Sequence, residues 1–235
     1  MKSFVFAFFL LFAVSFSFAQ NNGTAPDQSG GSGSEATLAD LQTRPMRLPA
    51  LQDIGGSPFF HDEYRTGNVL LADGRTVSNV PVKFNIFNNA VMIQKDGAEL
   101  KLESFDMVSY DDGEAEAIKH FWFRQGYPEV DNRPGTAIYQ VLAFGPKLHL
   151  TKYLSQKVED APTLGDYSRR EIVTTQQLYI YMPGADMKKI KASKQSITEA
   201  LPGMSAKIEE IVKTAGLNLK NETDIIKLVN ELNKQ

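Results

Sequence analysis

The chain has 235 residues, no cysteine, and a formal charge of −3 from 25 Lys and Arg against 28 Asp and Glu. Without thiols there are no cysteine nucleophiles, thiolate zinc sites, iron–sulfur clusters or disulfides, so stability must come from burial of a core. The slightly acidic balance, with no basic cluster beyond Arg169–Arg170 and Lys188–Lys189, argues against nucleic acid as a partner.

Lys2 precedes an apolar run from Phe4 to Phe18, and the small residues Ser17 and Ala19 stand before Gln20. That order predicts a cleavable secretory signal peptide over 1–19. The run is shorter than the ~20 residues needed to cross a bilayer. No cysteine follows it to carry a lipid, so the expected product is an exported protein, periplasmic or extracellular, with no transmembrane segment after cleavage. Residues 20–57 read as a tether and an arm. Up to residue 36 the composition is Gly, Ser, Asn and Gln, which cannot offset the entropy of ordering. From 37 to 57, scattered apolar residues and the prolines at 45 and 49 predict an irregular arm with at most a short helical turn.

Residues 58–185 carry short alternating runs separated by turn dipeptides, the pattern of consecutive hairpins. Asn68–Leu71 meets Thr76–Phe84 across Asp73-Gly74. That run meets Ala90–Gln94 across Asn88-Asn89, which in turn meets Glu99–Leu102 across Asp96-Gly97. Further runs cover Phe105–Tyr110, Ile118–Arg124, Ala137–Phe144, Lys147–Tyr153 and Gln177–Met182, with a tight turn at Gly145-Pro146. Nine such strands predict a mainly β (α+β) fold: a curved antiparallel sheet, barrel-like or a sandwich. The polar stretch from Ser155 to Thr175 is expected to be a long loop.

Residues 186–235 form a helical tail. A first helix is expected from Asp186 to Leu201. A second carries Ile208, Ile211, Val212 and Ala215 on one face and stops at Gly216. A third begins at Asn221 with a stripe of Ile225, Leu228, Val229 and Leu232.

The segment from Gly67 to Val91, the later Tyr139-Gln-Val-Leu-Ala-Phe-Gly-Pro-Lys-Leu and the ending Ile208–Asn233 together resemble a type of uncharacterised exported protein of Bacteroidota. The resemblance implies a strand-rich body with a helical ending. It supplies no catalytic residues.

Candidate chemistry is sparse. His61, His120 and His149 stand far apart, and a metal site would need His120 and His149 on neighbouring strands; alternation explains both as rim positions. His61-Asp62-Glu63 offers a base beside carboxylates but also reads as a solvated cap. Asp111, Asp112, Glu114 and Glu116 surround Gly113, yet the twelfth position of an EF-hand counted from Asp111 is Trp122. No nucleophile motif or phosphate-cradling loop is present, Gly30-Gly31-Ser32-Gly33 is linker, and no cofactor or metal is assigned.

Aromatic residues are the more informative set. Trp122 alternates against Phe121 and Phe123, and Tyr179 and Tyr181 alternate against Leu178 and Ile180. An aromatic surface of Trp122, Tyr127, Tyr179 and Tyr181 is therefore expected to meet a small ligand or an envelope protein, bordered by Arg169 and Arg170. The leading expectation is a non-enzymatic binding or interaction protein. The alternatives are a metal-dependent hydrolase-type enzyme using His120 and His149, and an envelope scaffold subunit that docks through its tail.

Overall fold

The computed structural model describes residues 36–46, 51, 53–113, 119–164 and 167–234; the signal segment and residues 20–35 of the tether lie outside the described residues. The strands are β1 (Thr43–Pro45), β2 (Ile54–Gly55), β3 (Arg65–Leu70), β4 (Thr76–Asn85), β5 (Ala90–Lys95) and β6 (Ala98–Leu102). Then come β7 (Met107–Asp112), β8 (Lys119–Arg124), β9 (Tyr139–Ala143), β10 (His149–Asp160), β11 (Arg170–Tyr181) and β12 (Lys188–Ile190). Helices α1 (Lys194–Ala200), α2 (Ser205–Ala215) and α3 (Glu222–Lys234) follow. No helix among the described residues is long and apolar enough to cross a membrane.

The strands form one sheet in the order β1-β6-β5-β4-β3-β7-β8-β9-β10-β11-β12, with β2 pairing beside β11. Every pairing is antiparallel except β2 with β11. The sheet curls without closing. Leu154 of β10 shares a buried cluster with Phe84 and Ile86 near the end of β4, five strands away along the sheet, and Asn89 reaches Ile138 across the same gap.

Turn chemistry sets the registers. Asp96 and Gly97 both take positive φ (52° and 76°), the two-residue hairpin geometry that matches the twist of its strands, and Lys95 faces Ala98. Val77 and Val80 are both buried despite their odd spacing, which in a regular strand would place them on opposite faces. A bulge resolves the conflict. Gly67 pairs Val80 while Val69 pairs Val77, and Asn79 sits at φ 59°.

All nine expected strands are present. Three further ones, β1, β2 and β12, were not foreseen, and β1 and β2 lie within the stretch expected to be an irregular arm. The expected loop from Ser155 to Thr175 is instead the outer half of a hairpin in which β10 and β11 pair residue for residue from His149↔Tyr181 to Asp160↔Arg170. Its polar residues satisfy one another across the ladder, as where Ser155 and Thr175 share a 2.8 Å hydroxyl bond. The expected helix from Asp186 is also shorter. Lys188–Ile190 pairs with Leu178–Ile180 as an edge strand that buries Ile190, and α1 starts only where the Ser193 hydroxyl accepts from the Ser196 N–H at 3.3 Å.

The other two helices match their patterns. Gly216 closes α2 in the left-handed region (φ 62°), and Asn221 accepts from the Asp224 N–H at 2.8 Å at the start of α3. Their apolar stripes, with Ile197 of α1, pack on Leu148, Leu150 and Ile180. The tail is thus a layer on one face of the sheet.

Candidate binding site

β9, β10 and β11 raise a set of tyrosines on the face away from the helices. Thr151 faces Tyr179, Tyr153 faces Gln177 and His149 faces Tyr181 across the ladder. Tyr127, Tyr139, Tyr153, Tyr179 and Tyr181 converge with Met187. Ring centroids lie 5.3 Å apart for Tyr127–Tyr181 and 5.7 Å for Tyr139–Tyr179, both edge-to-face. Three expected site residues, Tyr127, Tyr179 and Tyr181, therefore do come together. They face one another rather than solvent: Tyr127 is 4% exposed and Tyr179 fully buried.

The cluster is closed by a hairpin turn. Asp131 and Asn132 take φ of 50° and 60° between the bridged Val130 and Arg133. The turn delivers Asp131, which accepts from the Tyr179 hydroxyl at 2.7 Å. It also delivers Arg133, whose guanidinium donates to the same hydroxyl and lies 4.1 Å from the Tyr153 ring centre. The Tyr179 bond, Lys189 and Arg133 together hold the Asp131 carboxyl below its ordinary range. Burial pushes the Tyr139 phenol up to about 12, and its hydroxyl has no partner among the described residues.

The remaining expected site residues lie elsewhere. Trp122 is half-buried, stacks on His120 at 6.0 Å, and lines a separate cavity of about 430 Å³ between the β9–β10 turn and α3. Arg169 and Arg170 are exposed at the far end of the long hairpin, where Arg169 pairs with Glu171 and Arg170 faces Asp160. They do not border the tyrosines.

Beside the cluster, a cavity of about 460 Å³ opens where the β1–β6 end of the sheet meets residues 134–138 and Tyr153. The lining includes the charged Arg44, Lys101 and Glu103. It also includes Asn88, Gln125 and Thr136, whose side chains have no protein partner among the described residues; Asn88 and Thr136 are exposed and Gln125 is half-buried. Asn89 ties the two halves together at this point, donating to the Ile138 carbonyl at 2.9 Å and accepting from its N–H at 2.8 Å. Glu103 Oε1 lies 2.6 Å from Arg44 Nε and 3.3 Å from Lys101 Nζ. These contacts bring opposite charges together but are not aligned as hydrogen bonds, and that buried oxygen accepts none.

Sequence reasoning missed this cavity because its lining comes from six separate stretches. The available signals were Asn88-Asn89, read only as a turn, and Asp131-Asn132, a turn dipeptide not recognised as one.

The histidines are engaged apart from the cavity and from one another. His61 sits between the Tyr110 hydroxyl (3.2 Å) and Asp112 (3.5 Å), and His120 contacts Asp111 at 2.6 Å. His149 contacts the Tyr127 hydroxyl at 3.2 Å and stacks on Phe144 at 4.2 Å. β9 separates the strands of His120 and His149, so the neighbouring pair that a shared metal would need does not form.

Comparison with known proteins adds no relative. No family model, no curated protein and no solved structure matches the chain.

Proposed function

We propose that this is an exported, non-enzymatic binding protein that takes a small polar ligand into the cavity between the two halves of its sheet. The observation that carries the reading is the convergence of unpartnered Asn88, Gln125 and Thr136 with Tyr153 and an incompletely neutralised Arg44–Lys101 pair on one concavity. Its volume, about 460 Å³, lies within the range of small-molecule sites, roughly 300–1,000 Å³. Orienting polar groups around an aromatic residue is what binding requires. The three histidines, the side chains that titrate near neutrality and so suit acid–base work, are all held elsewhere. Export rests on the charged, apolar and small-residue order of 1–19.

Native mass spectrometry of residues 20–235, recovered from the envelope of the producing cell, tests this. The expected result is a stoichiometric extra mass that Thr136→Trp, which fills the cavity from an exposed position, removes. A bare mass for the unmodified protein, or an adduct indifferent to Thr136→Trp, overturns the reading.

A further inference from the structure

We infer that the cavity takes an acidic sugar: a hydroxylated ring bearing one carboxylate. This rests on the proposed binding role and names its ligand class. The β1–β6 register places Arg44 directly opposite Lys101. Like charges opposed across a ladder repel. Glu103 is the one carboxylate in the described lining, so the lining keeps a net charge of +1, and neither cation is tied to Glu103 by an aligned hydrogen bond. A single carboxylate neutralises that charge and offers Arg44 the paired acceptors its planar fork suits.

The uncharged polar lining limits what else the ligand can be. Asn88 and Gln125 each present an amide that donates and accepts, and Thr136 a hydroxyl that does both. Sugar hydroxyls have that same dual character. A simple aliphatic acid would meet the cations and make no use of these groups, of which the half-buried Gln125 is the least hydrated. A phosphate, at about −1.5 to −2, would exceed the charge available. Tyr153 supplies an aromatic surface for the C–H face of a ring, and Arg133, 4.1 Å from its centre, fixes the tyrosine's orientation.

The test is calorimetry and saturation-transfer NMR on residues 20–235 with glucuronate, glucose, acetate and glucose 6-phosphate. Glucuronate is expected to bind at least tenfold more tightly than each of the others, and to weaken as salt rises. Arg44→Gln with Lys101→Gln should reduce glucuronate affinity at least tenfold and glucose affinity far less, so that the preference for glucuronate over glucose is lost; Gln125→Ala should weaken both sugars. Arg44 is largely exposed and Lys101 sits near the sheet edge, so unchanged circular dichroism is expected to show that the double variant folds. Equal binding of glucose and glucuronate, or acetate binding as well as glucuronate, overturns the acidic-sugar assignment while the cavity still binds. Absence of sugar binding alongside a native adduct that Thr136→Trp removes shows another ligand class and overturns the inference alone. Absence of both sugar binding and adduct overturns the proposed function with it.

Discussion

The two halves of the sheet bury their surface in different ways. From β3 to β8 the principal core is a single cluster of aliphatic side chains and phenylalanines, with Phe84 and Phe123 packed 4.5 Å apart. From β9 to β12 both faces are covered, one by the helices and the other by tyrosines whose hydroxyls need partners. A side chain with a polar tip, buried on the second face of a sheet, requires a dedicated donor or acceptor. Tyr179 finds Arg133 and Asp131, and Tyr127 finds His149. The second half is thus specified by particular residues, where the first is specified mainly by pattern.

The sharpest way to break this contrast is to remove the helical layer. Ending the chain after Gly184 would expose Leu148, Leu150 and Ile180, all buried at 2% exposure or less. Each is worth roughly 1.5–3 kcal/mol of burial, and their sum is comparable to the whole stability of a domain, about 5–15 kcal/mol. The truncated chain is expected to be insoluble on expression. A soluble truncation with an intact strand spectrum would show that the helices are a separable docking element, and that the second half stands without them.

Two asparagines sharpen it further. Asn233 at the end of α3 accepts from the Leu148 N–H at 2.9 Å and the Lys147 N–H at 3.2 Å, and donates to the Leu148 carbonyl at 2.9 Å. It fits only because residue 145 is glycine: a Cβ there would lie 2.3 Å from the Asn233 amide carbon. Asn89 makes the corresponding clamp between the halves. Asn233→Ala and Asn89→Gly should each cost about 1–3 kcal/mol by leaving backbone groups unpaired, with Asn233→Ala the larger because three bonds are lost. Glycine keeps the φ of 46° at position 89, so the second variant reports the lost amide and not backbone strain. Urea midpoints measure both, and no shift for Asn89→Gly would mean that the halves are joined by the sheet alone.

How much of this was legible beforehand follows from the same difference. The strands of the first half could be read because turn dipeptides and alternation are local signals, and Gly216 and Asn221 marked helix ends for the same reason. Ser155–Thr175 was misread because its ladder of Ser, Thr and Gln lacks apolar alternation: Ser155 and Gln156 pair with Thr175 and Thr174, and these residues are half-buried or exposed. Lys188–Ile190 was misread because three residues of edge strand depend on the free edge of β11, which no local pattern announces. The cavity was the least legible feature. Arg44, Asn88, Lys101 and Thr136 become neighbours only when the sheet curls, and the residues that tyrosine spacing did indicate, Tyr127, Tyr179 and Tyr181, form its buried flank.

The smallest expected effect separates the halves by pH. Each contains a histidine against a tyrosine hydroxyl, but the charges nearby differ. His149 is 4% exposed, and burial, then Arg124, hold its pKa at about 4, against an ordinary 6.5; a bond that the ring donates to the Gly145 backbone opposes this only weakly. His61 is half-buried and also lowered by burial, with Arg65 adding to the shift, but Asp112 and Asp62 favour its charged form. A histidine with a depressed folded pKa binds its proton more readily when unfolded, so stability is level above about pH 7 and falls as pH drops from 6.5 towards 4. His149→Gln should flatten that limb of a stability–pH profile, measured by urea unfolding from pH 4 to 8, and His61→Gln should flatten it less. The reverse order would mean that Asp112 does not offset burial at His61, and that the first half also depends on a specific polar contact.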